Sequence, residues 1–217
     1  MTRKDDFFSH FISISVATVL KEYGYRKNGL TWNRRMDQII YVVNIQKSRF
    51  SDKGTVKFTL NLGVAAEDIW LAYWGMELPK VIKEESCFPG FRVGDVLNGF
   101  SGKAKDLWWF LDASKAMDPL AEEVTSCLRN RCLPVLQQLD SLYAVADFVR
   151  RSNPLMMPRD RICWGILCHQ LGDFDGAERA FSKFESGKSK AWQSKVSEIR
   201  SRLGMEKPYE GGPLSDS

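Results

Sequence analysis

From Thr55 to Val64 the chain alternates without a break. Val56, Phe58, Leu60, Leu62 and Val64 are apolar, and Thr55, Lys57, Thr59, Asn61 and Gly63 between them are polar or small. A two-residue period sends successive side chains to opposite faces of a strand, so this run predicts a strand packed on one face and argues against a helix there. The β-branched and aromatic run Ile39–Gln46 precedes it, and Ser51-Asp52-Lys53-Gly54 in between is turn chemistry. Together they predict an antiparallel hairpin. Leu30–Arg34, joined through Arg35-Met36-Asp37, predicts a third strand upstream, which makes a meander. Phe91–Leu97 and Leu107–Leu111, separated by the polar loop Ser101-Gly102-Lys103, predict two more. The expected sheet therefore has about five strands.

Outside the sheet the period changes. Phe8, Phe11, Ile12, Val16, Val19, Leu20 and Tyr23 recur at helical spacing from Asp5 to Tyr23, and Gly24 stands where a left-handed cap is wanted. Later, Asp118 is the expected N-cap of a helix, with Pro119 at its first position and Glu122 and Glu123 near the positive end of its dipole. Pro134 is expected to kink or divide that helix, and Asp140-Ser141 to cap another running to Arg151. Asp68–Trp74 fits either a short helix or an irregular aromatic segment. Asn153-Pro154-Leu155-Met156-Met157-Pro158 reads as a linker. The expected fold class is α+β: an antiparallel sheet flanked by helices over residues 1–152, a helical extension over 153–204 and a disordered tail over 205–217.

The order Leu20-Lys21-Glu22-Tyr23-Gly24-Tyr25-Arg26-Lys27-Asn28-Gly29, followed by Val43–Ser48 and Phe58–Gly63, resembles the domain-of-unknown-function family 4304. The likeness continues through Arg92-Val93-Gly94 and Leu107-Trp108-Trp109, over about residues 5–150. The resemblance implies an α+β domain and brings no established activity and no catalytic residue. After the linker, Gly165, Leu171-Gly172, Phe174, Ala177 and Phe181 fall at spacings similar to one tetratricopeptide repeat, and Trp192, Val196, Ile199 and Leu203 would stripe a third helix. The chain departs from the repeat in lacking its first aromatic and in having Ser189 where a proline is common. A single unit cannot form the concave groove of a repeat array, so packing on the first domain is the expected role of this extension.

A chain of 217 residues buries enough surface to fold without disulfides or metal. Its amino terminus carries no secretory pattern, and no uncharged apolar run reaches the roughly 18 residues needed to cross a bilayer. Five cysteines, an odd number, fit reduced thiols, and the expected location is the cytoplasm, away from any membrane. Cys127 and Cys132, and likewise Cys163 and Cys168, lie five apart in predicted helices, where side chains at that spacing point about 140° apart. Buried thiols are therefore expected, and no metal. The histidines, His10 and His169, lie in no recognisable catalytic setting, and there is no phosphate-binding Walker loop or dinucleotide fingerprint, so no cofactor is expected.

Two surfaces remain. Arg26, Lys27, Arg34, Arg35, Lys47, Arg49, Lys53 and Lys57 cluster on the early sheet beside Trp32, where basic residues with an exposed aromatic could follow nucleic-acid phosphates and stack bases. Interspersed acids and the lysines common on edge strands make nucleic acid the disfavoured partner. Asn44, Gln46, Ser48, Thr59 and Asn61, with Trp108 or Trp109 at their margin, form the candidate ligand-binding face for a small polar ligand or a peptide. Solvation of that sheet side, or amide bonds to nearby loops, is the competing expectation. The expected function is a non-catalytic binding or protein-interaction module. A hydrolase or transferase with a spatially assembled site is the second class, and a nucleic-acid binder the third.

Overall fold

The computed structural model of the chain describes residues 3–50, 54–102, 106–152 and 157–205, with side chains from residue 6 onward. The expected turn at Ser51–Lys53, the loop residue Lys103, linker residues 153–156 and the tail beyond Met205 lie outside the described residues.

Six strands form one antiparallel sheet: β1 (Arg26–Asn28), β2 (Thr31–Met36), β3 (Ile39–Lys47), β4 (Thr55–Ala66), β5 (Gly90–Arg92) and β6 (Trp109–Asp112). The long pair is β3 with β4, in register from Ile39 opposite Ala66 to Lys47 opposite Phe58. On its other edge β4 takes β5 against Asn61–Gly63 and β6 against Thr55–Phe58. The fold is α+β, and the expected hairpin is present.

Helices α1 (Arg3–Ile12) and α2 (Thr18–Glu22) flank a π-turn, Ser13–Ala17, in place of one continuous helix. The fully buried Ser15 turns its hydroxyl back onto the Phe11 carbonyl at 2.6 Å. Gly24, at φ 79°, ends α2 in the left-handed conformation expected of it. Phe8 and Phe11 meet Phe58 edge-on at 5.6 and 5.4 Å, which seats this helical stretch on the face of β4 that carries Phe58, Leu60 and Leu62.

The sequence reading of Phe91–Leu97 as a strand is corrected: pairing stops at Arg92, and Val93–Leu97 is a helix, α4. The Arg92 N–H, which a longer strand would use for pairing, donates instead to the Asp95 carboxylate at 2.8 Å, and this capping turns the chain into the helix. Helix α3 (Glu67–Trp74) answers the ambiguity at Asp68–Trp74. Asp118 is a second correction. Met117 occupies the N-cap of α5 (Asp118–Cys127) with no side-chain bond, and Pro119 sets the first turn. A π-turn, Leu128–Cys132, joins α5 to α6 (Leu133–Gln137), so the helix is interrupted just before Pro134. Ser141 caps α7 (Leu142–Ser152) by accepting from Ala144 N–H at 3.2 Å.

The chain divides into two compact units, one of residues 1–67 and 78–155 and the other of residues 68–77 and 156 onward. In the second unit α8 (Pro158–Gln170) and α9 (Phe174–Glu185) form a hairpin, followed by α10 (Lys190–Arg202). Asp173 caps α9 through Gly176 N–H at 2.8 Å. Buried Arg200 makes two bonds to the Glu178 carboxylate, at 2.7 and 2.8 Å, which hold that carboxyl below the usual range. Arg202 donates to the carbonyls of Ala72 and Tyr73 at 3.1 and 3.0 Å, closing the carboxyl end of α3.

The tightest backbone approach in the first unit is at Gly63, where a Cβ would stand 2.6 Å from the Cys87 Cβ and 2.9 Å from the Pro89 carbonyl oxygen. Gly63→Ala is expected to cost about 1–3 kcal/mol in urea unfolding, whereas Gly54→Ala, with nothing within 4 Å, stays within about 0.5 kcal/mol.

Candidate functional site

Asn33 sits in the middle of β2 on the face that also carries Arg26 and Arg35. Its amide works like a strand partner: Ile82 N–H donates to its Oδ1 at 2.7 Å, and its Nδ2 donates to the Ile82 carbonyl at 3.0 Å. This double bond pins the segment before Ile82 across the sheet. Between that segment and β1–β2 lies a cleft of about 760 Å³, lined by Arg26, Lys27, Asn33, Arg34, Arg35 and Lys80 among others. Five cations border it, and no carboxylate does. Arg35 has an outside partner, Glu67 at 3.6 Å, but both groups are about half exposed and the pair holds little. Lys27 lies 5.5 Å from the Trp32 ring. Among the described residues no carboxylate pairs with Arg26, Lys27, Arg34 or Lys80. Beside Arg34, the buried Tyr25 hydroxyl has no hydrogen-bond partner, and burial pushes its pKa up against the opposing charge of Arg34.

The basic cluster expected from sequence is thus brought together only in part. Arg26, Lys27, Arg34 and Arg35 all border the cleft, Arg26 and Arg35 on the face of Asn33 and Lys27 and Arg34 on that of Trp32, while Lys47 lies over Phe8 and Lys57 over Trp108. Lys53 is outside the described residues. The accompanying aromatic is a correction: Trp32 is 1% exposed and packs into the core on the face opposite Asn33, because β2 alternates and its apolar side belongs to the core. Lys80 and Asn33 were missed. Lys80 is far from the strands in sequence, and nothing in a lone asparagine announces a backbone partner 49 residues away.

The polar strand residues form a ladder of their own. Asn44 stands opposite Asn61 and Gln46 opposite Thr59. Asn61 Nδ2 donates to Gln46 Oε1 at 3.1 Å and to Asn44 Oδ1 at 3.4 Å, and Asn44 Nδ2 donates to the Thr31 hydroxyl at 2.9 Å. Arg92, opposite Asn61, reaches Gln46 Oε1 at 3.3 Å and pairs with Asp106. Trp108 lies between two cations, 5.0 Å from Lys57 and 5.8 Å from Arg92. Thr59 and Asn61 are 1% and 2% exposed, so this part of the face is covered, and the Thr59 hydroxyl and Asn61 Oδ1 have no partner. Ser48 stands apart, its N–H bonded to the Lys57 carbonyl at 2.8 Å and its hydroxyl accepting from Phe50 N–H at 3.1 Å.

A third finding corrects the splayed geometry expected for one thiol pair. The turn after α5 is π-helical, which carries Cys127 and Cys132 along one side, and the neighbouring Cys132 thiol lowers the pKa of Cys127.

The family described as Domain of unknown function (DUF4304) matches residues 16–138, more than half of the chain and all six strands. No curated protein and no solved structure matches it.

If Asn33 holds the cleft open, Asn33→Ala removes a donor and an acceptor from a buried backbone pair and is expected to cost about 2 kcal/mol. Hydrogen exchange at the Ile82 amide should accelerate accordingly. Asn33→Asp keeps the acceptor for Ile82 N–H and should retain more of that protection.

Proposed function

The chain belongs to the DUF4304 family, and we propose that it is a non-catalytic binding module whose β1–β2 cleft takes a small ligand bearing phosphate or carboxylate groups. One observation carries this reading: five cations line a single cleft without a carboxylate among them. A volume of about 760 Å³ suits a compact metabolite. Guanidinium forks at Arg26 and Arg35, on one face of the sheet, match the paired oxygens of such groups, and each charge-assisted bond contributes about 1.5–3 kcal/mol. The buried Trp32 withdraws the stacking platform that a nucleic-acid reading relied on, which favours a small polyanion over a strand of bases. Five cysteines, all free thiols, support a cytoplasmic setting. We regard the α8–α9 hairpin as a tetratricopeptide-like packing unit. In support, a Cβ on Gly165 would stand 2.6 Å from the Phe181 ring, the close approach that small residues allow in such hairpins.

A second reading keeps the ligand on Asn44, Gln46, Ser48, Thr59, Asn61 and Trp108. It is favoured by the unpartnered Thr59 hydroxyl and Asn61 Oδ1, which would accept from a small donor.

Titration calorimetry with inorganic pyrophosphate and with citrate tests the first reading. Binding is expected at low salt and should weaken steeply as ionic strength rises. The exposed-site variants Arg26→Glu and Lys80→Glu should each cut affinity about tenfold or more. Binding that survives both variants and disappears with Thr59→Val would move the ligand to the polar ladder. A co-purifying protein with no anion binding would favour a protein partner.

A further inference from the structure

Two cysteine pairs in this chain have identical spacing and different backbones. Cys163 and Cys168 lie within the regular helix α8. Cys127 and Cys132 bracket the π-turn: Cys127 is its N-cap, and Cys132 its last residue. In a π-turn the backbone bond runs from residue i to i+5, as Leu133 N–H to the Leu128 carbonyl does here. Residues five apart therefore follow one another along the same side, where an α-helix would splay them by about 140°. The π-turn thus sets the two thiols as neighbours along one side, near enough for each to shift the other's hold on its proton.

The members of the pair are not equivalent. Cys132 is completely buried, while Cys127 keeps part of its surface in solvent. The Cys132 thiol lowers the pKa of Cys127, opposed by burial and by Glu123 and aided by Arg131. The same pairing raises the pKa of Cys132, and burial adds to it. The partly exposed Cys127 thus has the more stable thiolate, and the covered Cys132 holds the proton.

We propose that Cys127 and Cys132 form a reversible disulfide across the π-turn, with Cys127 oxidised first by a peroxide and Cys132 resolving it. In the first step the Cys127 thiolate attacks one peroxide oxygen, the O–O bond breaks, and hydroxide leaves as Cys127 becomes a sulfenic acid. In the second, the Cys132 sulfur attacks the Cys127 sulfur, the S–O bond breaks, and the thiol proton leaves with the hydroxyl as water. The two sulfurs lose two electrons in total, and the peroxide gains them. A small thiol reverses the bridge by two exchanges and is itself oxidised to its disulfide. A bridge needs the two Cα atoms within about 7 Å, and the π-turn, by carrying residues five apart along one side, favours that approach over a regular α-helix. The oxidised form locks the turn.

The full chain contains its own control in Cys163 and Cys168, whose burial pushes the Cys163 thiol up to about 12. Treating the native protein with hydrogen peroxide, alkylating free thiols and mapping peptides by mass should reveal a Cys127–Cys132 link. It should also show three alkylated cysteines instead of five, and restoration by dithiothreitol. Oxidation at Cys127 should run roughly tenfold or more ahead of Cys163. Cys132→Ala should leave a sulfenic acid at Cys127 that dimedone captures, and Cys127→Ala should abolish both link and capture. Five alkylatable thiols after peroxide, a link involving Cys87, or equal oxidation of Cys163 would overturn the proposal, and the mapping of the unaltered chain decides it even where a variant fails to fold.

Discussion

The β3–β4 ladder is the constraint that the first unit depends on. It is the longest pairing in the sheet, and β4 is also the strand against which β5 and β6 form. Its register decides which side chains face the helices: Val43 with Leu62 and Ile45 with Leu60 on one side, Asn44 with Asn61 and Gln46 with Thr59 on the other. A slip of one residue would exchange the two sets, burying amides among phenylalanines and exposing the core. Because β2 pairs with β3 in turn, the same register fixes Asn33 on the polar side and Trp32 on the apolar side. The cleft and the core are thus two products of one alternation.

What lies over the polar side is held by side chains more than by further strands. Asn33 gives Ile82 both bonds that a neighbouring strand would give, without requiring another strand there. The amide ladder from Thr31 through Asn44 and Asn61 to Gln46 does similar work within the sheet, satisfying the amide donors of Asn44 and Asn61 while leaving the Thr59 hydroxyl and Asn61 Oδ1 without partners. In both places asparagine acts as a movable piece of backbone.

This also explains which parts of the molecule were legible in the sequence. Thr55–Val64 and Ile39–Gln46 announced themselves because period and composition agreed over many residues. Val93–Leu97 did not: its valines read as strand, and a single aspartate three residues past Arg92 turned it into a helix. The buried state of Thr59 and Asn61 was hidden for another reason, since alternation separates two faces but does not say that both will be covered. Half of the cleft was visible as a run of basic residues on β1 and β2, whereas Lys80 arrives through a long-range pairing that leaves no local trace. The alignment of Cys127 and Cys132 along one side was hidden because a π-turn carries no periodic signature of its own.

The closure of α3 by Arg202 has a temporal consequence. The last carbonyls of α3 are satisfied by a guanidinium about 130 residues further along the chain. At a synthesis rate of about 5–20 residues per second, about 6.5–26 seconds separate the synthesis of the end of α3 from that of its partner. During that interval its aromatic residues Trp70, Tyr73 and Trp74 have no α10 to pack against, although Lys195 of that helix lies over Tyr73 and Trp74 in the finished protein. The first unit can close its sheet around this gap, since β4 and β5 lie on either side of it, so the nascent chain would carry an apolar loop as a temporary liability. A chain cut short before Arg202 would retain that liability for good and become a natural substrate for chaperones and proteases.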